Sequence, residues 1–213
     1  MSTENAIPSL GNDPANNDSI AGMLSLVFRK LMRSIDGVTP AAVLGYEAGP
    51  PDYVSVQPLV QIISTLGQAE PRAQVAKVPV CQIGAGGFVM RFPLTAGDTG
   101  LLIACDRDIS LFMQSGQQSP PNTNRIKDFG NSFFLPVVLR GYTIANAADA
   151  VLQSLDGTVA INLSPGVITL TAPTVKIPGE LIVGGRTIIL GALNTGADIT
   201  AAGSITPDTP IPP

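Results

Sequence analysis

Hydrophobic and polar residues alternate almost step for step between Asp156 and Gly185, in the stretch DGTVAINLSPGVITLTAPTVKIPGELIVGG. Val159, Ile161 and Leu163 fall on one side of an extended chain, and Thr158, Ala160, Asn162 and Ser164 on the other. The pattern resumes with Ile168, Leu170 and Ala172, then Val175 and Ile177, then Leu181 and Val183. Turn chemistry punctuates it at Asp156-Gly157, Pro165-Gly166, Pro173, Pro178-Gly179 and Gly184-Gly185. A period of two predicts short strands with one apolar face.

Such strands cannot bury that face alone, since a two-stranded hairpin is marginal in water. No aromatic residue follows Tyr142, and no helical pattern is available to cover the strands. Copies of the same ribbon, stacked around a common axis, solve the problem. Each turn then buries Val, Ile and Leu in a narrow interior that a Phe or Trp would not fit, and only the ends remain as sheet edges. The smallest closed prism has three chains, so the expectation is a homotrimer with Val159, Ile161, Leu163, Ile168, Leu170, Val175, Ile177, Leu181 and Val183 inside. About seven layers at about 4.8 Å each make a stiff shaft roughly 35 Å long.

A different period governs Asp18 to Ile35. Ile20, Met23, Leu24, Val27, Leu31 and Ile35 recur at helical spacing, with Asp18 or Ser19 as N-cap and DGVTP as the stop. Arg29, Lys30 and Arg33 lie on or near the other face. The stripe suits either docking to a partner or packing on the chain's own domain.

Between Val38 and Tyr142 lie nine of the ten aromatics and five β-favouring runs: YVSVQPLVQII, AQVAKVPVCQI, GFVMRFPL, TGLLIACD and FFLPVVLRGYTI. Five short strands suit a small, nearly closed barrel, of which the OB-fold is the commonest form. A short helical stretch and a long Pro/Asn/Gln loop separate the last two runs.

Composition narrows the chemistry. The chain carries 12 basic and 16 acidic residues, with no basic cluster, which argues against nucleic acid as a partner. It has no histidine, the commonest general base and metal ligand. Cys81 and Cys105 are too few for a disulfide scaffold and read as reduced, buried thiols. The polar N-terminus lacks the basic and apolar regions of a signal peptide, and no apolar run is long enough for a membrane-spanning helix. A soluble protein made in a cytoplasm is expected. Asp128-Phe129-Gly130 matches the kinase magnesium motif by letters alone, without its partners. Gly84 to Gly87 reads as a hairpin turn, because neither a Lys-Ser/Thr ending nor a helix follows. Asp106 and Asp108, beside Arg107, read as helix-capping and exposed ion-pair groups rather than paired acids. No catalytic residue, metal site or cofactor is expected.

The middle segment, VPVCQIGAGGFVMRFPLTAGDTGLLIACDRDISLFMQSG followed by NRIKDFGNSFFLPVVL, resembles the N-terminal OB-fold domain of central spike proteins of contractile phage tails, the baseplate assembly protein V-like spikes. The resemblance rests on Gly86, Gly87, Phe88, Phe92 and Pro93, then Gly97-Asp98-Thr99-Gly100, then Arg107-Asp108-Ile109, and a closing element from Asp128 to Pro136. It implies a homotrimer assembled in the host cytoplasm and carried in the virion, with its OB domains under the tail-tube hub. A triple-stranded β-helix would then pierce the host outer membrane when the sheath contracts.

Several relatives bind iron at the needle apex through a His-x-His pair, which this chain cannot supply. Its tail, SITPDTPIPP, predicts a metal-free tip of Ile205, Pro207, Asp208, Pro210, Ile211, Pro212 and Pro213, since so many prolines end a sheet ladder. The alternative is a cap formed by a separate small protein. No segment suits the lysozyme domain of some related spikes.

The expected organisation is therefore mainly all-β. Residues 1–37 form a tail and docking helix, 38–145 an OB-fold-like barrel, and 146–213 an intertwined trimeric needle with a Pro-rich tip. A second reading is an OB-type module for oligosaccharide or nucleic acid on a trimerising stalk, against which stand the acidic balance and the absence of Trp.

Overall fold

The computed structural model describes residues 19–33, 35–64, 68–144, 146–197 and 202–203. The expected tip residues, Ile205 through Pro213, lie outside them.

Helix α1 spans Ile20–Arg33. Ser19 is its N-cap: the Gly22 N–H donates to Ser19 Oγ at 3.0 Å. Ile35 lies beyond the helix end. Asp36 then fixes the chain to the domain that follows. Its N–H donates to the Lys127 carbonyl oxygen. Its carboxylate accepts from Arg72 Nη1 at 2.7 Å and from the Phe129 N–H at 3.0 Å.

That domain is built on β1 (Val38–Glu47), β2 (Tyr53–Pro58), β3 (Ile62–Ile63), β4 (Ala69–Glu70), β5 (Val75–Pro79), β6 (Ile83–Ala85), β7 (Phe88–Met90), β8 (Thr99–Ala104) and β9 (Ser132–Pro136). Helix α2 (Ser110–Ser115) and a 3-10 turn (Phe129–Asn131) lie between β8 and β9. The five-stranded sheet runs β5-β2-β1-β8-β9, every neighbour antiparallel. It curls until its outer strands meet: Val80, just past β5, bridges Phe134 of β9 in parallel, and the Cys81 N–H donates to the Phe134 carbonyl oxygen at 2.7 Å. A meander of three strands, a return on the far side of the first and a closing strand make the partly open Greek-key barrel of an OB-fold.

Five strands were expected and five are present, but they are not the same five. β1, in the middle of the sheet, is missing from the sequence-based set. Pro40, Ala41, Ala42 and Gly45 dilute its β signal, although Ala41 and Val43 are fully buried between neighbours on both sides. GFVMRFPL, counted as a barrel strand, instead supplies β7 of a separate two-stranded hairpin with β6. Its turn is the expected Gly86-Gly87 pair, at φ 60° and 85°, the conformation of a tight hairpin turn.

Ala41, Val43, Val54, Val56, Val78, Val80, Leu94, Leu102, Phe129 and Phe134 form one core. β2 shows how: Val54 and Val56 point in while Tyr53, Ser55 and Gln57 alternate outward. Gly100 is glycine because the Phe134 ring and the Leu135 carbonyl oxygen occupy the space of a Cβ. Phe129 is held beneath the Arg72 guanidinium, 5.3 Å above its ring.

The chain divides into two compact units. The first ends at Ile144 and takes back Leu155–Gly157; the second holds 145–154 and the chain from Thr158 onward. In the second unit β10 (Ala150–Gln153), β11 (Ala160–Ser164) and β12 (Val167–Thr171) form an antiparallel meander. Pro165 and Gly166 (φ 81°) turn β11 into β12 as expected. Among the described residues after Thr171 there is no further strand.

Candidate functional site

Strand pairing lines up the apolar residues of the second unit in rows. Leu152 stands opposite Ile161, and Ile161 opposite Leu170. Ala150 stands opposite Leu163, and Leu163 opposite Ile168. Directly opposed residues share a face, so Leu152, Ile161, Leu163, Ile168 and Leu170 make one apolar surface. All five are exposed, by 41–69%. The reverse face, with buried Ala160 and partly buried Asn162 and Ser164, is the better covered one. A sheet with its greasy side in water lacks a partner. Covering the five large side chains is worth about 1 kcal/mol each at half burial, or about 5 kcal/mol per chain.

The structure thus brings together four of the residues expected inside a needle. Val159, just before β11, is exposed beside them, with its N–H held by Ser154 Oγ at 3.1 Å. Val175, Ile177, Leu181 and Val183 sit in irregular, exposed backbone rather than in the expected strands. In a single chain they have no ladder to join. Leu152 was missed in the sequence, because β10 is only four residues long. Ile182, Ile188, Ile189, Leu190 and Leu193 were missed as well, and all are exposed.

The apolar stripe of α1 is also uncovered. Ile20, Met23, Leu24, Val27 and Leu31 lie along the helix, all more than half exposed. Ile35 is past the helix end and less exposed.

The charged groups that suggested chemistry have structural partners. Asp108 accepts from the Ser110 N–H (2.9 Å) and Thr123 Oγ1 (2.8 Å), and these bonds lower its carboxyl from the ordinary value. Asp106 makes an exposed ion pair with Lys127 at 3.6 Å. Asp128 caps the 3-10 turn through the Gly130 N–H. Cys81 and Cys105 are free and half-buried rather than buried, and desolvation pushes both thiols up.

One network was invisible in the sequence. The Asp52 carboxylate, its side chain 2% exposed, accepts from Arg91 Nε and Nη2 (both 2.8 Å), Gln82 Nε2 (2.9 Å) and the Gly49 N–H (2.8 Å). Arg91 also donates to the Tyr46 hydroxyl at 2.7 Å. The Arg91 bonds, followed by that from Gly49, hold Asp52 far below the usual carboxylate range. The network binds the β6–β7 hairpin to the β1–β2 loop. A hollow on β1, β2 and β5, lined by Tyr46, Glu47, Tyr53 and Lys77, is shallow and open.

Residues 39–137 match the family model of the phage protein Gp138 N-terminal domain, from the first strand of the barrel to just past its last. The match supports a phage structural protein. No curated protein matches the chain. Among the described residues no helix is long and apolar enough to cross a membrane.

Proposed function

We propose that this phage protein is the central spike of a contractile tail baseplate, a homotrimer that pierces the host outer envelope when the sheath contracts. The observation that carries this reading is the uncovered face of Leu152, Ile161, Leu163, Ile168 and Leu170. It is followed by exposed Val, Ile and Leu that lie in no strand among the described residues. Three copies wound together cover both. The resulting shaft transmits force through its ladder of backbone hydrogen bonds, so the role is mechanical rather than enzymatic and takes no cofactor or nucleic acid. The barrels dock under the tail-tube hub with α1 at their head, and the far end is closed by the chain's own Ile and Pro residues or by a separate cap.

The Gp138-type match of the barrel supports placing the protein in the virion. Two experiments test the reading. The full chain, run on SDS gels before and after boiling, is expected as a resistant three-chain band that collapses on heating. Antibody to the barrel should label isolated tails at the distal centre of the baseplate. Label elsewhere on the particle, or none, would overturn the spike role.

A further inference from the structure

The apolar positions of α1 carry more information than exposure. Ile20, Leu24, Val27 and Leu31 are spaced four, three and four apart, the seam repeat of helices that wind around each other. In that register the β-branched Ile20 and Val27 occupy d positions, and Leu24 and Leu31 occupy a positions. Leu at a with a β-branched residue at d turns preference away from two strands toward three or four. Met23 and Phe28 flank the seam on its two sides and widen it. Arg29 stands on the outer side, and Lys30 at the margin. No charge interrupts the seam.

We propose that the α1 helices of three copies pack against each other as a parallel bundle at the head of the barrels; the inference rests on the three-copy reading above. Area decides how far it can stand alone. Ile20, Met23, Leu24, Val27, Phe28 and Leu31, each 55–86% exposed, present on the order of 500 Å² per copy. A stable interface needs roughly 800 Å² per partner. The bundle therefore does not assemble free chains but forms between chains already joined through the shaft, where the effective concentration is high. The leash is short. Asp36 is three positions after Arg33, so each helix ends within about 10 Å of the residue that Arg72 and Phe129 hold in place. With the seam closed between copies, Arg29 with Leu26 and Met32 on the outer side is what remains for the hub.

Leu24→Cys and Val27→Cys full-length proteins test this, with Arg29→Cys as the outward control and the wild type as the blank for Cys81 and Cys105. Each is treated with a short bis-maleimide and read on a denaturing gel, and its mass is measured by sedimentation. Chain-to-chain coupling at positions 24 and 27 is expected to exceed that at 29 at least tenfold in a three-copy particle. A three-copy particle that couples no more at 24 and 27 than at 29 overturns the bundle and leaves the spike reading standing. A single-copy particle overturns both.

Discussion

Removing the Asp52 carboxylate tests whether the barrel depends on the clasp between its β1–β2 loop and the β6–β7 hairpin. In Asp52→Ala four hydrogen bonds to one buried anion are lost. Arg91 is 49% exposed and is rehydrated, so its share of the loss is at most about 1 kcal/mol. The Gly49 N–H and Gln82 Nε2 lose a charged acceptor in a partly buried setting, at about 1 kcal/mol each. The total is about 3 kcal/mol, which for a domain of this size lowers the melting temperature by about 12 °C. Asp52→Asn keeps the shape and one acceptor oxygen and should lose about half as much. All three tyrosines, Tyr46, Tyr53 and Tyr142, belong to the barrel unit, so the near-ultraviolet tyrosine signal reports its melting alone. The pH dependence carries a second signature. Asp52 is lowered in the folded chain, so its contribution is complete above about pH 5 and is lost as pH falls below the ordinary value of 3.8. The wild type should show that acid slope and Asp52→Asn a weaker one. An Asp52→Ala variant melting within about 2 °C of the wild type, or an unchanged slope in Asp52→Asn, would refute the reasoning.

Other substitutions probe the remaining contacts. Gly100→Ala forces a methyl into the Phe134 ring and the Leu135 carbonyl oxygen, and should cost about 2–3 kcal/mol by the same tyrosine melt. Asp36→Ala frees the Arg72 guanidinium and the Phe129 N–H at a partly exposed site, for about 1–2 kcal/mol. Leu163→Asp with Ile168→Asp places two opposed carboxylates on the uncovered sheet face; gel filtration should show loss of the three-copy particle while the barrel melt is unchanged. Ending the chain after Ile144 should leave a folded single-copy barrel by the same two measurements.

The sequence is most legible where one period repeats over a long stretch. Helical spacing and Ser19 locate α1, and strict alternation places Ile161, Leu163, Ile168 and Leu170 on the face where strand pairing puts them. The barrel is harder to read. β1 hides behind Pro40 and two alanines because its burial comes from strands on either side, not from its own hydrophobicity. β7 looks like a barrel strand because Phe88, Val89 and Met90 favour extended chain, yet local propensity cannot say which sheet a strand joins. The Asp52 clasp has no local signal at all, since Arg91 is 39 residues away and arrives only when the barrel closes. The stretch from Val175 to Val183 is different again: its alternation is plain, but among the described residues the strands it predicts have no partners within one chain.

Sedimentation equilibrium of the full-length protein bears most directly on the account, because spike, shaft and helical bundle all require self-association. The predicted particle has three times the 22.0 kDa mass of the chain, whatever the loading concentration. A folded particle of 22.0 kDa, with its apolar ribbon ordered and no copies attached, would contradict it.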